Sequence, residues 1–257
     1  MKALIVLLAA GSVMLAQTPP PTKSAAPAAK APAVNPLLHP ETLKARAPES
    51  FKVKFTTTKG DFVIDVHRDW SPLGADRFYN LVRSHFFNNA SFFRIVPNFI
   101  VQFGIPADPK VSAAWENAYI KDDPYKPGNS NKKGTVVYAT AGSGTRTTQF
   151  FINLVDNGRS LDNNPSHFTP FGEVTEGMDI VASLYSGYGD SPDLGGHGPK
   201  QDLVTSQGKA YLDKNFPKLD SIKTAAIMPT EGAPAAAPGT KSTAPATKST
   251  PAPAAKK

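Results

Sequence analysis

The chain has no cysteine among its 257 residues. That absence excludes a disulfide scaffold, a thiolate zinc site, an iron–sulfur cluster, a cysteine nucleophile and a lipid-modified cysteine anchor. Histidine is scarce as well. His39, His67, His85, His167 and His197 show no i,i+4 pairing and no neighbouring ligand cluster, so no metal site is expected. Asp190, Asp193 and the Asp156–Asn164 stretch read as turn residues rather than a calcium loop. Long apolar runs are missing too, apart from Ala3–Ala16 behind Lys2. That run is short for a bilayer span and suits the apolar region of a signal peptide. Residues 1–17 are therefore read as a signal peptide, or as a membrane anchor if uncleaved, and the chain as exported to a periplasm or the outside.

Proline is plentiful but unevenly placed. Eight of the 25 prolines fall in residues 1–50 and six in residues 229–257, within stretches otherwise rich in Ala, Thr, Ser and Lys. Such segments bury too little apolar area to offset their ordering entropy. Residues 18–50 read as a linker and 229–257 as a disordered basic tail, with 51–228 left as one domain large enough for a core. The net charge of +7 resides mostly in the tails, on Lys2, Lys23, Lys30, Lys44 and Arg46 at one end and Lys241, Lys248, Lys256 and Lys257 at the other. A near-neutral middle does not suggest a nucleic-acid partner.

Within the middle, Phe51, Val53 and Phe55 alternate with polar residues, as do Phe62, Ile64 and Val66. With Lys59-Gly60 between them they predict a hairpin. Ser71-Pro72 opens a helix with Phe78, Leu81 and Val82 on its buried side. Strands are expected within 92–103, at 134–140, 148–154 and Phe171–Val174, a short helix over Gly177–Leu184, weak helicity at Ala210–Leu212 and a closing strand within Leu219–Ile227. Residues 105–133 form a long polar excursion and 185–200 a Gly-rich loop. Many short strands without a βαβ rhythm argue for a closed eight-stranded antiparallel β-barrel capped by two helices.

Common catalytic motifs fail. Ala141-Gly142-Ser143-Gly144 lacks the first glycine of a nucleophile elbow, and Thr147 stands where a dinucleotide loop needs glycine. Two segments remain unusual: Phe92–Gly104, FFRIVPNFIVQFG, and Gly134–Asn153, GTVVYATAGSGTRTTQFFIN. Arg94, Gln102 and Gln149 interrupt apolar runs. On a buried strand such groups are costly unless paired. A structural arginine satisfied by a carboxylate is one reading of Arg94; a functional one is the other.

Together, at this spacing, the two segments resemble the cyclophilin family of peptidyl-prolyl cis/trans isomerases. The resemblance runs from about Phe51 to Ile227 and includes Leu161-Asp162, Phe171-Gly172-Glu173-Val174 and Glu176-Gly177-Met178-Asp179. The short Phe86–Asn89 connection looks bacterial. The resemblance implies catalysis of X–Pro rotation in Pro-containing polypeptide clients, without a cofactor or metal. It assigns Arg94, Gln102 and Phe99 to catalysis. It assigns Ile100, Ala139, Thr140, Ala141, Gln149, Phe151, Leu161 and Phe168 to substrate binding. Three departures stand out: Phe93 for the family's usual His, Ser160 where many eukaryotic members carry a Trp that contacts cyclosporin, and Phe168 for a pocket His. Weak cyclosporin inhibition is expected. Nothing like a coiled coil occurs, so a monomer is expected. A non-catalytic Pro-peptide-binding chaperone, or a scaffold tethered by its tails, is the alternative function.

Overall fold

A computed structural model describes residues 35–166 and 168–229. The alternating segments form eight strands: β1 (Ser50–Thr57), β2 (Asp61–His67), β3 (Arg94–Val96), β4 (Ile100–Phe103), β5 (Thr135–Tyr138), β6 (Phe150–Asn153), β7 (Pro170–Glu176) and β8 (Ile222–Ile227). Five helices accompany them: α1 (Pro72–Arg83), α2 (Pro109–Trp115), α3 (Gly158–Leu161), α4 (Met178–Ala182) and α5 (Gln201–Asn215). All strands join one sheet in the order β3-β4-β6-β5-β7-β2-β1-β8, with antiparallel neighbours throughout.

The sheet curls but does not close as the sequence suggested. Its end strands β3 and β8 share no ladder. A Ser91–Ser221 bridge spans the gap, with backbone N–H groups of Asn89 and Phe92 donating to Ile222 and Asp220 and that of Ile222 donating to Ala90. The residues that meet the start of β8 lie at 89–92, ahead of β3, rather than in β3 itself. The first hairpin turn also shifts by one residue. Thr57 N–H donates to Gly60 O at 3.0 Å, so Thr58-Lys59 makes the turn.

An aromatic core fills the concave side. Phe55, Phe78, Phe87, Phe103, Phe150 and Phe171 are fully buried, and Phe78 and Phe150 meet edge to face with centroids 5.3 Å apart. Rings of this size bury the most apolar area per residue and supply much of the driving force for folding.

Two segments without strand or helix signals, the polar excursion 105–133 and part of the linker, are structural. Residues 105–133 send Trp115 into the core against Phe86. They also supply the cap of α1. Ser71 makes no capping bond of its own; Asp123 accepts from the amides of Leu73 and Gly74, both at 2.9 Å, and from the Ser71 hydroxyl. A charged carboxylate suits a helix N-terminus better than a hydroxyl does. Buried Arg146 neutralises it at 3.1 Å and lies over the Tyr138 ring.

Residues 35–49, assigned to the linker by composition, pack on the domain. The Trp115 indole N–H donates to Leu37 O at 2.8 Å, Asn80 exchanges two hydrogen bonds with the Ala45 backbone, and Ala47 N–H donates to Asp76 at 2.8 Å. Composition missed this because the ties are backbone groups docking onto side chains elsewhere. α5 likewise replaces a weak helix signal. It is broken at Gly208 (φ 61°, ψ −146°), where a Cβ would sit 2.3 Å from Ala107 O. The freed amide of Lys209 donates to that same carbonyl at 3.0 Å. No described helix is long and apolar enough to cross a membrane. The signal and tail assignments at 1–34 and 230–257 lie outside the described residues.

Candidate active site

Strand alternation sorts the central residues onto two faces. On β6, Phe150 and Ile152 enter the main core, while Phe151 faces outward; on β5, Val137 does the same between Val136 and Tyr138. On β4, Val101 and Phe103 point inward, and Ile100 points out beside Phe151. Ile100, Val137, Phe151 and Leu161 make a second apolar cluster, joined by Phe99, Ala139 and Phe168. Phe168 stands edge-on to Phe151 at 5.7 Å.

This cluster floors a cleft of about 390 Å³. The β3–β4 turn runs through Asn98 at φ 59°, a left-handed conformation that Asn tolerates. It delivers Phe99 to the rim. The Phe99 carbonyl accepts from Leu154 N–H at 2.9 Å and from Asn157 Nδ2 at 3.0 Å, which pins the turn. β4 is followed by Gly104 (φ 105°), where a Cβ would come within 2.2 Å of Thr148 O. That close approach keeps β4 and the start of β6 together.

The polar wall is a chain of three side chains. Arg94 faces Gln102 across the β3–β4 ladder. Arg94 Nη1 donates to Gln102 Oε1 at 2.9 Å, and Gln102 Nε2 donates to Gln149 Oε1 at 2.9 Å. From the other side Asp190 grips Arg94: Nε–Oδ1 is 2.6 Å and Nη2–Oδ2 is 3.0 Å. The Arg94 hydrogen bonds hold the Asp190 carboxyl below the ordinary carboxylate range, against burial and with help from the Ser191 amide.

The loop after β5 makes the third wall. Ala139 N–H donates to Gln149 O at 3.0 Å and Ala141 N–H to Thr145 Oγ1 at 3.0 Å. Asp122 braces the outer turn by accepting from the Ser143 hydroxyl and Gly144 N–H, both at 2.7 Å. The 105–133 segment therefore supports both α1 and this loop.

All the residues that the resemblance assigned to catalysis or substrate binding line this one cleft: Arg94, Phe99, Ile100, Gln102, Ala139, Thr140, Ala141, Gln149, Phe151, Leu161 and Phe168. Thr145, Thr147 and Gln201 line it too and were given no part in it from the sequence. Asp190 was taken for a turn residue. The burial of an arginine on a strand called for a carboxylate, yet nothing local marked one lying 96 positions away. Ser160 is exposed and does not line the cleft; Phe93 is buried against α5. A larger hollow of about 660 Å³ lies between residues 38–45 and α1–α2, and none of the predicted site residues lines it.

Chemically, the cleft joins an apolar floor for a small ring to fixed N–H donors at its edge. Among the described residues no three His, Asp or Glu side chains gather as metal ligands.

Comparison with known proteins agrees with this arrangement. Residues 52–205 match the model of the cyclophilin type peptidyl-prolyl cis-trans isomerase family. The chain is 31% identical over 145 residues to a peptidyl-prolyl cis-trans isomerase of Acinetobacter baylyi, covering 55% of this chain and 76% of that one. It is 31% identical over 159 residues to peptidyl-prolyl cis-trans isomerase B of Escherichia coli, covering 59% and 94%. In fold it resembles a cyclophilin type isomerase of Cryptosporidium parvum (TM-score 0.52, 20% identity, 70% of this chain and 99% of that one). A second structure of that protein, in the presence of the dipeptide Ala-Pro, gives a TM-score of 0.51.

Proposed function

The chain belongs to the cyclophilin type peptidyl-prolyl cis-trans isomerase family, and from that premise we propose how its cleft accelerates rotation about X–Pro bonds. The enzyme is a peptidyl-prolyl cis-trans isomerase acting on proline-containing peptides. Peptide resonance sets the barrier, about 18–20 kcal/mol, so uncatalysed X–Pro exchange takes tens to hundreds of seconds. No σ bond breaks. The catalyst need only favour the twisted amide over both planar forms.

The proline ring sits on Phe99, Ile100, Phe151, Leu161 and Phe168, where apolar contact anchors one side of the bond. Arg94 meets the other side. As the amide twists, the prolyl nitrogen regains a lone pair, and a guanidinium N–H donates to it. That bond is absent in the planar state, so it lowers the barrier selectively. Gln102 orients Arg94 and Gln149 extends the wall. The N–H groups of Ala139 and Ala141 are spent internally. An extended client along Ala139–Ala141 therefore meets their carbonyl edge, with Thr140 beside it.

The observation that carries this reading is the fixed Arg94 fork facing an apolar floor, with Gln102 between them in the β-ladder. The test is the isomerisation rate of an X–Pro peptide with the full-length protein beside Arg94→Ala. An active wild type and a largely inactive, folded variant support it. Two inactive, folded proteins would reduce the cleft to a peptide-holding site.

We further propose that residues 51–228 carry the activity, that the apolar segment 3–16 directs export, and that the protein works as a monomer on exported clients. N-terminal sequencing of protein recovered outside the cytoplasm tests the export step. A start at Met1 in a wholly cytoplasmic fraction would refute it. Cyclosporin should inhibit weakly, since Ser160 offers no indole.

A further inference from the structure

We propose that Asp190 is a positioning residue for the isomerase reaction: it locks the Arg94 guanidinium so that only its substrate-facing donors stay free. The proposal rests on the cleft reading above.

An arginine carries five N–H donors. Three are committed here: Nε and one Nη2 hydrogen to the two oxygens of Asp190, and one Nη1 hydrogen to Gln102. One N–H on Nη1 and one on Nη2 remain. A two-point carboxylate contact blocks rotation about the last side-chain bond, which Gln102 alone would not do. The head group is largely sheltered, with 14% of the Arg94 side chain and 21% of the Asp190 side chain exposed. Little water competes for the pair.

Asp190 is itself held by a built loop. Its Oδ1 also accepts from Ser191 N–H at 2.7 Å, and its carbonyl accepts from Gly198 N–H at 2.7 Å. A Cβ at Gly196 would lie 2.0 Å from that carbonyl and one at Gly198 2.8 Å, so the loop packs backbone on backbone. His197 N–H donates to Tyr188 O at 3.2 Å, and the Tyr188 ring stands perpendicular to Phe216 at 5.0 Å, just beyond α5. The Gly-rich stretch 187–198 is thus a clamp for one carboxylate. Its cost is electrostatic: the pair carries no net charge, so the field at the prolyl nitrogen is weaker than a bare guanidinium would give. The gain is direction, since a displaced donor loses much of its selectivity for the twisted state.

A double-mutant cycle tests this with full-length protein and an X–Pro peptide, measuring kcat and KM separately for wild type, Asp190→Ala, Arg94→Ala and the double variant. We expect Asp190→Ala to lower kcat about tenfold, with KM within about twofold. It should add no further loss once Arg94 is gone. Asp190→Asn, which keeps one acceptor for Nε, should fall between; it replaces the alanine variant if thermal melts show that one unfolded. Wild-type activity in Asp190→Ala overturns the proposal. So does higher activity, which would make Asp190 a brake, and so does an equal loss in the Arg94→Ala background, which would mean general collapse of the loop. An inactive wild type would instead refute the cleft reading itself.

Discussion

The two faces of the β4–β6–β5 strands differ in what they do with the same kind of residue. Phe150 and Phe151 are neighbours in sequence. Phe150 sits among Phe78, Phe87, Phe103, Tyr138 and Phe171, with no room left for another group. Phe151 meets Phe168 across a cleft bounded by Arg94, Gln102 and Gln149. One face is filled by the chain itself; the other stays open as the cleft in which the proposed mechanism seats the proline ring. What separates them is the polar wall, because three mutually bonded side chains cannot collapse onto an apolar floor without losing their hydrogen bonds.

The contrast can be broken or sharpened in four ways. The largest effect belongs to the filled face. Phe150→Ala should cost about 3–5 kcal/mol in denaturant unfolding, since the surrounding rings cannot collapse into the gap. The variant that remains folded at low temperature should still isomerise X–Pro bonds. Next comes Arg94→Ala, expected to lower kcat about 100-fold, or about 2.7 kcal/mol in barrier, as for the loss of one preorganised donor. Its melting temperature should fall only modestly, since Asp190 keeps the Ser191 amide after losing its guanidinium partner. A parallel loss of stability would show that the pair with Asp190 serves the fold first.

Third, Phe99→Ala on the half-exposed rim should lower kcat/KM about tenfold through lost ring contact. Stability should change by no more than about 1 kcal/mol, as little apolar area is given up. If Phe99→Ala destabilises as much as Phe150→Ala, the two faces are not distinct. The smallest effect concerns pH. Burial raises the Asp76 carboxyl, but Arg68 and the Ala47 amide outweigh it and hold its folded value below the ordinary one. A depressed carboxyl stabilises above its unfolded value and stops doing so as pH falls through the folded one. Melting temperature should therefore drop below about pH 4. Asp76→Asn should flatten part of that slope, whereas Phe150→Ala should shift the whole curve without changing its shape.

The alternation of Phe51, Val53 and Phe55 was enough to read β1, because a half-buried strand writes its period into the chain. The cleft residues were legible through the resemblance of two contiguous segments, which the fold brings together across β4 and β6. Three features were not legible. The α1 cap comes from Asp123 rather than adjacent Ser71. The docking of 35–49 uses backbone groups that any composition supplies. Asp190 reaches Arg94 from a glycine-rich loop whose shape depends on close backbone approach. In each case the partner lies far along the chain, and no local pattern encodes it. The expected barrel closure failed for a related reason: alternation says that a residue lies in a strand, not whether the end strands meet.

The pairing of β1 with β8 has a consequence for how the molecule comes into being. Val53 stands opposite Ile227 and Thr57 opposite Ile222, so the first strand of the sheet gains its outer neighbour only from the last. During synthesis β1 can form its hairpin with β2 at once, yet its free edge stays open until nearly the whole domain has been made. Ladders that join such distant segments also close slowly, because loop entropy is lost before the contacts reward it. A chain truncated before residue 220 would leave that edge unpaired and strip Ile222 and Ala225 from the core. It should aggregate rather than wait.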